Sequence, residues 1–215
     1  MKKVGILRFW GTNCDRDIWQ AAEVAGFEPQ WLWQDDTFDP KGFSYFVVPG
    51  GFSYGDYLRC GSLAAKTPVM KSLREAAAKG FPIIGICNGF QILCEAKLLP
   101  GVLVRNVGQR FIDNWVDLKI ENSSPFTKKS GGRIRLPIAH GEGQFFADQE
   151  ELKQLEGRGQ VWLRYLDNPN GSVKDIAGVM NETKNVCGLM PHPERALLEW
   201  MGGEDGHSFF LEAAP

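Results

Sequence analysis

The stretch Phe81-Pro82-Ile83-Ile84-Gly85-Ile86-Cys87-Asn88-Gly89-Phe90-Gln91 decides the fold. The apolar run over residues 81–86 predicts a buried strand, and residues 88–96 predict a helix that begins with no intervening loop. A strand that turns straight into a helix holds its corner residue at a strained backbone angle. The corner leaves no room beside it, so glycine is required two residues before and two after, at Gly85 and Gly89. Such strain costs on the order of 1–3 kcal/mol and persists where function requires it. The corner thiol of Cys87 also faces a helix N-terminus, whose partial positive charge favours thiolate. Against this stands the commoner fate of a cysteine, burial as a small hydrophobe. The motif alone leaves both readings open.

Working outward, the first hundred residues alternate strand and helix. Strands are predicted at residues 3–9, 27–33, 45–48 and 81–86. Asn13 is a candidate cap for a helix whose first turn carries Asp15 and Asp17 and whose buried stripe is Ile18, Ala21, Ala22 and Ala25, stopped by Gly26. Thr67-Pro68 opens a second helix that runs to Lys79 and stops at Gly80. This alternation predicts a parallel sheet with helices on both faces. Beyond it the pattern changes to short strands at 115–120, 133–138, 161–166, 176–180 and 186–190, separated by turn clusters such as Asn168-Pro169-Asn170-Gly171. These read as antiparallel additions to the same sheet. Short helices are expected at 196–201 and 208–213. The predicted fold is therefore α/β: a three-layer open sheet, mostly parallel with antiparallel additions, in a single domain spanning 1–215.

Two further segments carry chemistry. In Pro191-His192-Pro193-Glu194 the prolines hold the chain extended, so His192 and Glu194 point the same way. A carboxylate beside an imidazole can fix its tautomer and stabilise its charged form. An ordinary loop histidine is the competing reading. In Val48-Pro49-Gly50-Gly51-Phe52-Ser53, glycines after a strand can turn backbone N–H groups toward a cleft, where they could hold a developing oxyanion. A plain glycine turn is the alternative.

The totals exclude several classes. Hydrophobic residues make up 43% and charged residues 23%, which argues against disorder. With 24 basic and 26 acidic side chains the net charge is −2, so there is no electrostatic footprint for nucleic acid or an anionic membrane. No apolar stretch approaches membrane-spanning length, and no leader pattern is present at Met1-Lys2-Lys3. A soluble, cytoplasmic protein is expected. The cysteines at 14, 60, 87, 94 and 187 include no Cys-x-x-Cys pair and fit neither a zinc site nor a disulfide framework. Outside the elbow, Cys14, Cys60, Cys94 and Cys187 read as packing residues, and His207 reads as exposed in a polar tail.

The combination of GICNGFQ at 85–91, the Pro-Gly-Gly loop and PHPE at 191–194 resembles the class I glutamine amidotransferases. GTNCDRD at 11–17, GGFSYGDYLR at 50–59 and HGEG at 140–143 narrow the resemblance to the glutaminase subunits of phosphoribosylformylglycinamidine synthases, from purine biosynthesis. It runs from the first strand to Ala196. The chain departs from the family at Phe9-Trp10, where a proline is expected, and at Cys60, where serine is expected.

The resemblance implies catalysis by Cys87, His192 and Glu194, with the N–H groups of Gly51 and Asn88 as the oxyanion hole. It implies substrate contacts from Gln91, His140 and Gly141, with a solvated helix position as the alternative for Gln91 and a structural turn as the alternative for His140. No metal is implied. It implies glutamine hydrolysis through a thioester, with ammonia passed to a large synthetase subunit that converts formylglycinamide ribonucleotide to its amidine, and a small accessory subunit beside it. No Walker-type phosphate loop is present in the sequence, so ATP and magnesium are expected on the synthetase and no cofactor in this chain. Tyr54, Tyr57, Leu58 and Arg59 are candidates for the partner contact; simple cover for the elbow helix is the alternative. Rival readings are a same-class subunit serving another synthetase, a cysteine hydrolase of related fold, and a regulatory subunit without catalysis.

Overall fold

The computed structural model of the chain describes residues 2–211. Strands β1 (Lys3–Arg8), β2 (Glu28–Trp33), β3 (Phe43–Val48), β4 (Ile83–Ile86) and β11 (Val186–Leu189) pair in parallel in the order β2-β1-β3-β4-β11. Helices α1 (Asp15–Val24), α2 (Pro68–Ala78) and α3 (Asn88–Glu95) make the crossovers. The order reverses beside β1, and right-handed crossovers then place α1 on the face opposite α2 and α3. The sheet continues antiparallel through β10 (Ile176–Met180), β9 (Val161–Tyr165), β6 (Ile112–Ile120) and β7 (Arg133–His140), nine strands among the described residues. Pro137 within β7 is tolerated because β7 is the sheet edge.

The two faces are legible in one dipeptide. Tyr45 on β3 packs edge-on against Phe27 and Phe126, which leads to Trp162 and Phe209 of α5 (His207–Leu211). The next residue, Phe46, packs on the other side against Phe38, Phe43 and Phe81. Alternation along the strand assigns consecutive residues to opposite cores.

Several expectations need correction. Asn13 does not cap α1; Cys14 occupies the N-cap without a side-chain bond to the helix, and Asn13 Oδ1 instead accepts from the Cys14 thiol at 3.2 Å. The helix expected at 196–201 is absent: single 3₁₀ turns at Pro193–Arg195 and Glu199–Met201 flank non-helical backbone at Ala196 and extended backbone at Leu198. The terminal helix covers His207–Leu211; residues 212 and 213 of the expected span lie outside the described residues. β6 begins at Ile112, ahead of expectation, because Asp113 and Asn114 are held in the ladder opposite Ala139 and Ile138 while their side chains face outward.

Three elements escaped the sequence reading. β5 (Val102–Val104) and β8 (Gln144–Phe146) form a separate two-stranded sheet, each too short to show a period. Helix α4 (Gln149–Gly157) buries only Leu152 and Leu155, so its apolar stripe is thin. Its start was readable nonetheless: Asp148 Oδ1 accepts from Glu151 N–H at 2.8 Å, and acids fill the first turn.

Candidate active site

Parallel strands deliver their carboxyl ends to one edge of a sheet, and the loops there share a crevice. The loops after β1, β3, β4 and β11 supply Cys14, Gly50-Gly51, Cys87 and His192-Glu194 respectively. β7 points the same way and adds Ala139 and His140; Pro137 C=O accepts from His192 N–H at 2.8 Å. Of these, Cys14, Gly51, Cys87, Ala139, His140 and His192 line a cavity of about 520 Å³.

Cys87 is the corner. Its φ of 52° and ψ of −109° are strained for a residue with a side chain. Three bonds hold it there: Cys87 N–H donates to Leu189 C=O at 2.8 Å, and Cys87 C=O accepts from both Phe90 and Gln91 N–H. The flanking glycines are needed for space. A Cβ on Gly89 would stand 1.8 Å from Val48 O, and one on Gly85 would stand 2.7 Å from Gly89 O. The sulfur faces the cavity, 3.7 Å from Ala139 O.

His192 and Glu194 are buried together, with Nδ1 and Oε1 2.6 Å apart. The non-helical backbone at His192 and the 3₁₀ turn at Pro193–Arg195 set this pairing. Burial works most strongly on the ring and disfavours its charge. The Glu194 carboxylate first, and then the Cys87 and Cys14 sulfurs beside the ring, together outweigh it, and His192 holds its proton well above the ordinary imidazole range. Nε2, the nitrogen opposite the carboxylate, has no hydrogen-bond partner within the chain.

The two expected oxyanion donors are free to serve. Asn88 is the first residue of α3, where N–H groups lack helical acceptors. The bridge between Thr12 and Gly51 uses Asn13 N–H to Gly50 O (3.4 Å) and Phe52 N–H to Gly11 O (2.9 Å), leaving the N–H of Gly51 outside it. Asn88 Oδ1 accepts from Ser53 N–H at 3.1 Å and ties this loop to the helix start.

The expected substrate contacts also line the cavity. Gln91 is not a solvated helix position. It is buried, its Nε2 donates to Glu142 C=O at 2.6 Å, and its Oε1 accepts from Asn88 Nδ2 at 2.8 Å. His140 is buried; Asn106 Oδ1 accepts from both its Nδ1 (3.1 Å) and Gly143 N–H (3.0 Å). Burial first, and then the His192 charge, pushes His140 down to about 4, so it is neutral at physiological pH. Gly141 lies beside it at the rim.

Two cysteines read as packing residues are site residues. Cys60, at a family departure, lines the cavity and its thiol donates to Glu142 Oε2 at 3.1 Å, a bond serine could also make. Cys14 is packed into the His192 pair: the ligand atoms of Cys14, His192 and Glu194 all lie within 4.8 Å of one another. Such a set resembles a metal site in type, but Arg195 Nη2 donates to the Cys14 sulfur at 3.1 Å, so a cationic side chain already engages that ligand atom. In the sequence the GTNCDRD segment reads as a helix start and a family marker; nothing local in it signals proximity to residue 192. Cys94 and Cys187 are buried as expected, with thiols pushed up by burial. His207 is half-buried at the start of α5 rather than exposed. At the other departure, Trp10 is exposed and packs edge-on against Trp33 at 4.9 Å.

Comparison with known proteins agrees with this geometry. The CobB/CobQ-like glutamine amidotransferase domain family matches residues 1–205. A phosphoribosylformylglycinamidine synthase subunit PurQ from Brucella suis is 49% identical over 217 residues, spanning 98% of this chain and 97% of the relative. Its namesake from Thermus thermophilus is 50% identical over 216 residues, spanning 96% and 95%. A chain in the solved structure of PurLQS from Thermotoga maritima superposes with a TM-score of 0.90 at 46% identity, covering 99% of this chain and 97% of that one.

Proposed function

The chain belongs to the CobB/CobQ-like glutamine amidotransferase family, and on that premise we infer that it is the glutamine-hydrolysing subunit of a phosphoribosylformylglycinamidine synthase. The observation that carries the chemistry is the buried His192–Glu194 pair set beside a cysteine at a strained strand-to-helix corner.

Cys87 Sγ attacks the side-chain amide carbon of glutamine, and its proton passes to His192. The carbonyl electrons move to oxygen, where the N–H groups of Gly51 and Asn88 hold the oxyanion. Losing one such donor costs on the order of 10²–10³ in rate. His192 returns the proton to the departing nitrogen, the C–N bond breaks, and ammonia leaves a glutamyl thioester. Water then attacks, His192 takes its proton, and Cys87 leaves as the C–S bond breaks, releasing glutamate. Glu194 holds the imidazole orientation and compensates its charge through both steps. An imidazole that keeps its proton beyond the usual range suits the first transfer. Gln91, His140 and Gly141 line the amino-acid end of the substrate.

Ammonia passes to a synthetase subunit docked against this chain, which makes the amidine of formylglycinamide ribonucleotide. We assign ATP and magnesium to that partner, with a small accessory subunit completing the complex. Exposed apolar side chains at Trp10, Phe52, Tyr57, Leu58 and Phe111 are the surface we assign to the contact. Phe52 and Phe111 also line the cavity, so the contact would meet the site mouth. Arg59 instead pairs with Glu95 at 2.8 Å and braces α3, and Tyr54 is half-buried. Among the described residues no helix is long and apolar enough to cross a membrane. All five cysteines are free, which supports a reducing, cytoplasmic setting.

A glutamine-analogue electrophile tests the reading. It labels Cys87, and Cys87→Ala abolishes both labelling and ammonia release while the circular dichroism spectrum is unchanged. Ammonia release that survives Cys87→Ala overturns it.

A further inference from the structure

Cys14 sits at the N-cap of α1, where a side chain ordinarily bonds the helix's own N–H groups; it makes no such bond. Its sulfur turns instead toward the active site. Sγ accepts from Arg195 Nη2 at 3.1 Å and donates to Asn13 Oδ1 at 3.2 Å. Gly50 has no side chain at the point where three loops meet: a Cβ there would stand 3.0 Å from Cys14 Sγ, 3.0 Å from His192 Cε1 and 3.4 Å from Cys87 Cβ. Cys14 N–H also donates to Gly50 C=O at 3.2 Å, which ties the oxyanion loop to the same residue.

We infer that Cys14 is a positioning residue for His192, holding the imidazole from the start of α1 so that it stays between the Cys87 sulfur and the Glu194 carboxylate. The inference rests on the roles given above to Cys87, His192 and Glu194. His192 is clamped on three sides: Glu194 at Nδ1, Pro137 C=O at its backbone N–H, and Cys14 with Gly50 at the ring. Removing the sulfur opens a space beside the ring and strips Arg195 of one acceptor. A ring displaced by about 1 Å from its working position can cost about 10²-fold in rate.

The placement also bears on the proton. The titratable and charged groups around His192 are Glu194 and Arg195 on its own turn, Cys14 and Asp17 from α1, Cys87 from the elbow and His140 from β7. The Cys14 sulfur, within 4.8 Å of the imidazole's ligand nitrogen, is one of the influences that raise His192. A residue that only filled space would alter stability without moving the pH profile of turnover.

The test compares Cys14→Val with Cys14→Ser in the full chain with its synthetase, reading glutamine-dependent ammonia release against pH. Valine keeps apolar volume and loses the hydrogen bonds; serine keeps a donor and acceptor in a smaller side chain. The expected result for valine is kcat lower by about tenfold or more, KM for glutamine within about twofold, and the alkaline limb of the profile at lower pH, with serine recovering part of each change. Equal turnover and an unchanged profile in Cys14→Val overturn the inference. So does an equal loss in both variants with the profile unmoved, the outcome expected of packing alone. Should valine not fold, serine decides by itself: an unmoved alkaline limb overturns the proposal and a shift to lower pH supports it. Failure of the underlying triad is separate, since it shows as activity surviving Cys87→Ala whatever Cys14 does.

Discussion

Glu194 Oε1 and His192 Nδ1 stand 2.6 Å apart with both side chains withdrawn from solvent. A buried carboxylate facing a buried imidazole fixes which ring nitrogen carries the proton and leaves Nε2 for chemistry. Glu194→Gln keeps the shape and removes the charge. It is expected to lower kcat for ammonia release on the order of 10²–10⁴-fold with the fold intact. Single-turnover measurement of thioester formation checks this; a loss under threefold would contradict the assigned role.

The same pair sets the alkaline limit of activity. His192 is held above its ordinary value, so its proton is retained until pH rises through that raised value and is lost beyond it. Activity that needs the imidazolium to protonate the departing amide nitrogen should therefore persist through neutral pH and decline only on the alkaline side. In Glu194→Gln the decline should begin at lower pH. The pH dependence of kcat/KM for both proteins measures the shift and its sign.

Strain at the corner predicts a trade between stability and activity. Cys87 has φ of 52°, a conformation costly for any residue with a Cβ. Cys87→Gly should be more stable than Cys87→Ala by about 1 kcal/mol, because the relief exceeds the chain-entropy cost of glycine. Both should be inactive. Urea denaturation of the two variants tests the difference; equal midpoints would mean the corner is not strained.

Gly50→Ala places a methyl group 3.0 Å from both the Cys14 sulfur and His192 Cε1 and 3.4 Å from Cys87 Cβ. All three neighbours belong to the site, so the expected damage is local. Ammonia release should fall about tenfold or more, with the thermal midpoint changed little compared with Gly89→Ala, whose Cβ would meet backbone at 1.8 Å.

Tyr57 and Leu58 are 75% and 84% exposed, and their side chains are not part of the apolar core. Tyr57→Ser with Leu58→Asp should leave the chain's own stability within about 0.5 kcal/mol and weaken the complex with the synthetase at least tenfold, read by calorimetric titration. Unchanged affinity would place the docking surface elsewhere.

The strand-to-helix corner was legible because its geometry forces a local signature, an apolar run, small neighbours on either side of one residue, and a helix beginning at once. The parallel half of the sheet followed from the same alternation. Helix α4 shows the opposite case: only two buried leucines mark it, and the capping pair Asp148 and Glu151 had to be read in place of periodicity. The false helix at 196–201 arose from good helix formers diverted by bonds to the loop that follows, among them Ala196 C=O accepting from Gly206 N–H at 2.8 Å and the bridge of Leu198 to Gly203.

By itself the amino-acid order determined which residues could react: one cysteine at a corner, one imidazole with a carboxylate two positions on, and glycines where backbone must approach. Those are consequences of covalent neighbours and of steric limits on short segments. Only the tertiary structure decided who meets whom. Cys14, Gly50, Cys87 and His192 are separated along the chain and converge because parallel strands end at one edge of the sheet. Adjacency of that kind is a property of strand order, and no local pattern around Cys14 encodes it.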